Sequence, residues 1–106
     1  MISEQSKLLT VEELQMASAI LKSVSHPIRL QIVDLLDKNS RLSVNEICEK
    51  ISVEQSLTSH HLSKMRQSDI LGTRKDGQRV FYYLKLKSLT NLLACMAHCM
   101  DNLKPQ

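Results

Sequence analysis

The sequence predicts a mainly α fold with one small β-hairpin: four helices, the hairpin, then a fifth helix, the order of a winged helix-turn-helix. Three observations carry that prediction. Apolar residues recur at helical spacing through most of the chain. Between residues 73 and 84 that period gives way to alternation around an Asp76-Gly77 turn signal. Between these patterns, residues 52–71, SVEQSLTSHHLSKMRQSDIL, read as a short helix. It carries Gln, Ser, Thr, His and Lys on one side and turns Val53, His61, Leu62, Met65 and Ile70 towards a core.

Each element has its own signal. Residues 1–9 read as a loose arm or a first helical turn. The first helix spans about 10–24, with Leu14, Ala17, Leu21 and Val24 on one face. The second opens at Ser25-His26-Pro27, because proline fits the first turn, where its missing N–H costs nothing. Its apolar face is Ile28, Ile32, Leu35 and Leu36, and Asn39-Ser40 ends it. A third helix starts at the capping box Ser43-Val44-Asn45-Glu46 and runs to about residue 51, with Ile47 and Ile51 inward. A second box, Ser52-Val53-Glu54-Gln55, predicts a fourth helix from there to about residue 68. The hairpin follows, with Val80 and Tyr82 on one face and Phe81 and Tyr83 on the other. The last helix spans about 88–103. Its stripe of Leu89, Leu92, Leu93, Met96, Met100 and Leu103 is wider than one small domain can cover.

The 106 residues make one domain, 1–106, with 42% hydrophobic content. The three aromatics, Phe81, Tyr82 and Tyr83, are adjacent, so the core is aliphatic and suits packed helices. A dimer sharing the faces of the terminal helices (10–24 and 88–103) is expected, with Met96 and Met100 in its seam. Net charge is +3, and its distribution says more than its size. Residues 64–87 hold seven Lys or Arg against Asp69 and Asp76, a footprint for contact with a polyanion. Cys48, Cys95 and Cys99 form no disulfide framework. The opening MISEQSKLLTVEELQ has no apolar leader, and no apolar run reaches membrane-spanning length. A cytoplasmic protein with reduced thiols and no membrane contact is expected.

The third and fourth helices are joined by a few residues, which forces a sharp angle between them. The fourth then presents Glu54, Gln55, Ser56, Ser59, His60 and Ser63 outward. Gln can read adenine bidentately, and Ser and His can bond bases or phosphates in double-stranded DNA. Backbone N–H groups at the helix start add attraction for phosphate. Lys64 beside this face, and Arg74, Lys75, Gln78 and Arg79 at the hairpin tip, can meet phosphates or the minor groove. An amphipathic surface helix and a solvated hairpin tip are each common. The ordered combination of helix pair, basic hairpin and terminal helices is what points to DNA.

Residues 21–84 resemble the ArsR-type (arsenic-responsive) family of bacterial winged-helix repressors. The resemblance rests on SHPIRLQIVDLL, the reading helix SLTSHHLSKM and the hairpin RKDGQRVFYYL. With the flanking helices it covers nearly the whole chain. It implies a homodimer joined through the first and last helices, bound to a palindromic operator and released by a metal, metalloid or redox signal. Ser52 and Asp69 stand where the family often has glycine, and Thr58 where it often has an apolar residue.

Both of the family's metal sites are depleted here. The metalloid run Cys-Val-Cys-x-x-Cys corresponds to residues 43–48, where only Cys48 keeps its thiol, and one thiol does not chelate As(III) or Zn(II). The zinc positions correspond to Leu86, Ser88, Cys99 and Asn102. No cofactor is expected to be required. Cys95 and Cys99 remain, at i and i+4 on the last helix. Paired across a two-fold axis they could bind a soft metal or oxidise; equally, they could be small apolar residues of a seam. Cys48 reads as core, His61 as a core histidine bonded to backbone, and His26 as part of the start of the second helix. No nucleophile–base set with a cleft and no Gly-rich phosphate loop point to an enzyme. The competing reading is a winged-helix protein-interaction module without an inducer. Such modules usually lose the basic hairpin and polar helix that this chain keeps.

Overall fold

A computed structural model describes residues 9–105. The expectation for residues 1–9 falls almost wholly outside them. The elements are α1 (Val11–Val24), α2 (Pro27–Lys38), β1 (Leu42–Ser43), α3 (Val44–Ile51), α4 (Gln55–Gln67), β2 (Leu71–Asp76), β3 (Arg79–Leu84) and α5 (Leu89–Leu103). The five helices and the hairpin stand in the expected order. Thr10 caps α1 in a reciprocal box: its N–H donates to Glu13 Oε1 at 2.9 Å, and its Oγ1 accepts from the Glu13 N–H at 3.1 Å. His26 caps α2, its Nδ1 accepting from the Ile28 N–H at 3.1 Å, with Pro27 next. Ser43 and Glu46 form the expected box at α3.

Three local expectations need correction. Ser52 does not cap α4. It sits in the left-handed region (φ 57°) and closes α3, its N–H donating to the Cys48 carbonyl. An N-cap needs extended backbone, so α4 starts three residues later, at Gln55, with Glu54 at the cap position and no side-chain cap bond. The hairpin turn is Gly77-Gln78 and not Asp76-Gly77, because Asp76 already pairs with Arg79. Of the two turn residues, only Gly77 has positive φ (64°), the pattern of a type II′ turn. Third, the hairpin belongs to a three-stranded sheet of order β1-β3-β2. Leu42 and Ser43 add the extra strand opposite Tyr82 and Phe81.

The core gathers Ile32, Val33 and Leu36 of α2, Ile47 of α3, Leu62 and Met65 of α4, and Ile70, Leu71, Leu84 and Leu89 around the sheet. Thr58, where an apolar residue is common in the resembled family, is fully buried. Its hydroxyl donates to the Val53 carbonyl at 3.4 Å, which offsets part of the cost of burying it. Tyr82 faces this core. Phe81, on the opposite sheet face, is buried too, under arginine side chains. The Ile70 carbonyl accepts from both the Lys85 and Leu86 N–H groups, at 2.9 and 3.1 Å, which ties the end of the α4 segment to the chain entering α5. No helix among the described residues is long and apolar enough to cross a membrane.

Candidate nucleic-acid interface

α4 is two-faced by construction. Thr58, His61, Leu62 and Met65 are buried, at i, i+3, i+4 and i+7. The complementary positions carry the predicted reading residues: Gln55, Ser56, His60, Ser63 and Lys64 are exposed, and Ser59 is half-buried. Among the described residues, the side chains of Gln55, Ser56, Ser59 and Ser63 make no hydrogen bond, so their donors and acceptors are available to an external partner. The exposed Leu57 shares the first turn and offers an apolar contact of the kind that meets a thymine methyl. The sequence reading passed over it because an isolated exposed leucine is ordinary.

A part-buried polar contact ties α4 to the first two helices. Arg29 Nε donates to His61 Nδ1 at 2.9 Å, and Arg29 Nη1 donates to the Ser23 carbonyl at 2.8 Å. One guanidinium therefore spans the end of α1, the start of α2 and the reading helix. His61 is a core histidine as expected, but its partner is this side chain and not the backbone. With Nδ1 accepting, the imidazole carries its proton on Nε2, which is buried with no partner among the described residues. Burial lowers the His61 pKa most, and the neighbouring charges of His26, Arg29 and His60 lower it further.

The hairpin brings Lys75 and Arg79 to its tip, one on each strand. Arg79 lies 4.9 Å from the Phe81 ring centroid and 3.8 Å from Glu46 Oε1. The Glu46 carboxyl is held below its usual pKa, first by the Ser43 backbone N–H, then by the Ser43 side chain, Arg79 and Lys50. Arg74 sits one pair further from the turn and lies over Tyr83, 5.0 Å from its centroid. Arg41, absent from the predicted set, joins them. It pairs with Asp76 at 3.0 Å and covers Phe81 at 4.1 Å. Its place beside the wing depends on β1, and a two-residue strand has no period to read. Aromatic rings thus hold three guanidiniums in place along one face of the sheet.

Cys95 and Cys99 are exposed on α5, and Cys48 is half-buried on α3. Among the described residues, no three His, Cys, Asp or Glu side chains converge as a metal site. On the same helix as Cys95 and Cys99, Met96, Met100 and Leu103 are exposed, and α1 separately exposes Val11, Leu14, Met16 and Leu21.

Comparison with known proteins agrees with this architecture. The family model described as "Bacterial regulatory protein, arsR family" matches residues 26–72, from the α2 cap into β2. The transcriptional regulator YgaV of Escherichia coli is 32% identical over 82 residues, 77% of this chain and 83% of that protein. The transcriptional activator HlyU of Vibrio cholerae is 35% identical over 101 residues, 89% of this chain and 92% of that protein. The solved structure of HlyU superposes with a TM-score of 0.75 at 33% identity, covering 82% of this chain and 97% of that one. The chain belongs to the arsR family of bacterial regulatory proteins and is a DNA-binding transcriptional regulator with a winged helix-turn-helix.

Proposed function

We propose that the protein is a cytoplasmic homodimeric repressor that reads a roughly palindromic operator and is relieved by a thiol-directed signal. The observation that carries the DNA reading is α4: one face fully buried, the other an exposed row of uncommitted polar side chains beside a cationic wing. In this reading Gln55, Ser56, Ser59, His60 and Ser63 meet base edges, while Lys64, Arg74, Lys75 and Arg79 meet phosphates or the minor groove. The apolar faces of α1 and α5 support the dimer. A two-fold axis through them sets two reading helices about 34 Å apart, one turn of B-DNA. This reading requires no resident cofactor and no enzymatic activity.

The signal is assigned to Cys95 and Cys99. They are exposed, one turn apart, and set within the apolar surface proposed as the seam. Oxidation or soft-metal binding there would shift that seam and hence the spacing of the reading helices. The test measures operator affinity of wild type and a Cys95→Ser, Cys99→Ser double variant with peroxide, polysulfide, As(III) and Cu(I). Expected is a wild-type loss of affinity with at least one agent that the variant does not share. Identical responses to all four make the thiols packing residues. Failure to bind any duplex DNA at low salt would point instead to a protein-interaction module.

A further inference from the structure

The outer face of the sheet, the C-terminal end of α2 and the segment leading into α5 enclose a groove of about 540 Å³. That lies within the roughly 300–1,000 Å³ of small-molecule sites. Its floor is apolar, with Leu36 and Leu84 only 3% and 4% exposed. The Tyr83 ring forms a wall, lying so close over Gly72 that a Cβ there would overlap it. Arg41, Arg74 and Lys87 line the same space, against one acid, Asp37. Arg41 is held by Asp76 and Phe81, and Arg74 by the Tyr83 ring. Lys87 and Asp37 pair with no described residue.

We propose that this groove binds a small organic anion: one carboxylate or phosphate group on an aromatic or apolar body. The body lies on Leu36, Leu84 and Tyr83, and the anionic head is met by the cationic excess of Arg41, Arg74 and Lys87. The site sits apart from the proposed thiols and uses none of their chemistry. Its position gives it leverage. Lys87 belongs to the segment 85–88, which hangs from the Ile70 carbonyl and runs into α5. An anion drawing Lys87 towards the end of α2 and towards Arg74 therefore loads the wing and the entry to α5 together. On the DNA-binding reading above, occupancy changes operator affinity; binding itself does not depend on that reading.

The test titrates the full chain, without DNA, with phenyl phosphate, benzoate and inorganic phosphate, followed by calorimetry and amide chemical shifts. Expected is saturable binding, one ligand per chain, tighter for phenyl phosphate than for inorganic phosphate because only the former has an apolar body. Perturbed amides should centre on residues 36–41 and 83–87. Lys87→Gln should weaken binding about tenfold, while Lys87→Arg keeps it, with both variants folded by circular dichroism. A separate titration with random duplex DNA distinguishes the phosphate sources. The proposal is overturned if none of the three probes saturates by roughly 10 mM, or if Lys87→Gln leaves their affinity unchanged. It is also overturned if inorganic phosphate binds as tightly as phenyl phosphate and Lys87→Gln weakens duplex DNA equally, since the groove would then be a track for backbone phosphates.

Discussion

Ile32, Ile47, Leu62 and Met65, on α2, α3 and α4, are each 0% exposed, whereas Leu14, Leu21, Met96 and Leu103, on α1 and α5, are 54%, 50%, 45% and 75% exposed. Both groups recur at helical spacing and use the same residue types. The inner group finishes its packing within one chain, while the outer group projects an apolar surface from it. The radius of gyration, 16.0 Å, reflects this, since a compact chain of this length has about 13 Å. The difference assigns separate tasks. The inner unit holds the reading helix against a closed core. On the proposed reading, the outer helices set the distance between two reading units, and a second copy completes their surface.

The largest effect should come from charging the outer surface. Leu92 also packs on the chain's own core, so Met96→Glu with Met100→Glu is the cleaner pair. Sedimentation should show a folded monomer, and affinity for a two-half-site duplex should fall about 100-fold or more as the second half-site stops contributing. A variant that still dimerises at micromolar concentration breaks the comparison.

Next come the two kinds of contact within the inner unit. Gln55→Ala should cost about 1–3 kcal/mol on the best site and relax base preference. Arg79→Ala should weaken specific and random duplexes alike and flatten the salt dependence. Equal losses for both variants on both DNAs would erase the division of roles.

A pH dependence should belong to the inner unit. Burial keeps folded His61 neutral below the pH at which an unfolded histidine charges, at about 6.5. Above that value both states are neutral and the residue adds no pH dependence. As pH falls through it, the unfolded chain takes up a proton that the folded chain does not, so stability falls. Urea midpoints of wild type should therefore drop between roughly pH 7.5 and 5.5, and those of His61→Gln should drop less. Parallel curves would remove His61 from the account.

The smallest effects concern Ser52 and Asp69, whose φ values are 57° and 61°. Ser52→Gly should stabilise by roughly 0.5–1 kcal/mol by relieving the left-handed strain. Asp69→Gly should gain less, because aspartate tolerates this conformation and pairs with Lys85 at 3.3 Å. Thermal melts of the two variants would rank them.

Much of this was legible in the sequence. The box at Ser43 lies at a sharp change of pattern, and the α4 faces separate because buried and polar residues alternate at helical spacing. The glycine-like positions Ser52 and Asp69 were visible as departures, and their positive φ explains why glycine suits them. The missed start of α4 has the same root. Ser52-Val53-Glu54-Gln55 spells a capping box, but the short connection needs Ser52 to end α3, and one residue cannot hold both conformations. The turn slipped by one residue because Asp-Gly and Gly-Gln both suit a tight turn, and only pairing across β2 and β3 decides between them. β1 and Arg41 were out of reach, since a two-residue strand exists only by virtue of its partner. Periodicity shows that a face is apolar and not which molecule covers it.

The central claim is that a two-fold seam through α1 and α5 spaces two copies of α4 for adjacent turns of DNA. Selection from a random duplex library by the wild-type protein, read by sequencing, tests it most directly. The account predicts an inverted repeat whose half-site centres lie about 10 base pairs apart. Recovery of a single unrepeated motif, or of no motif above background, would contradict it.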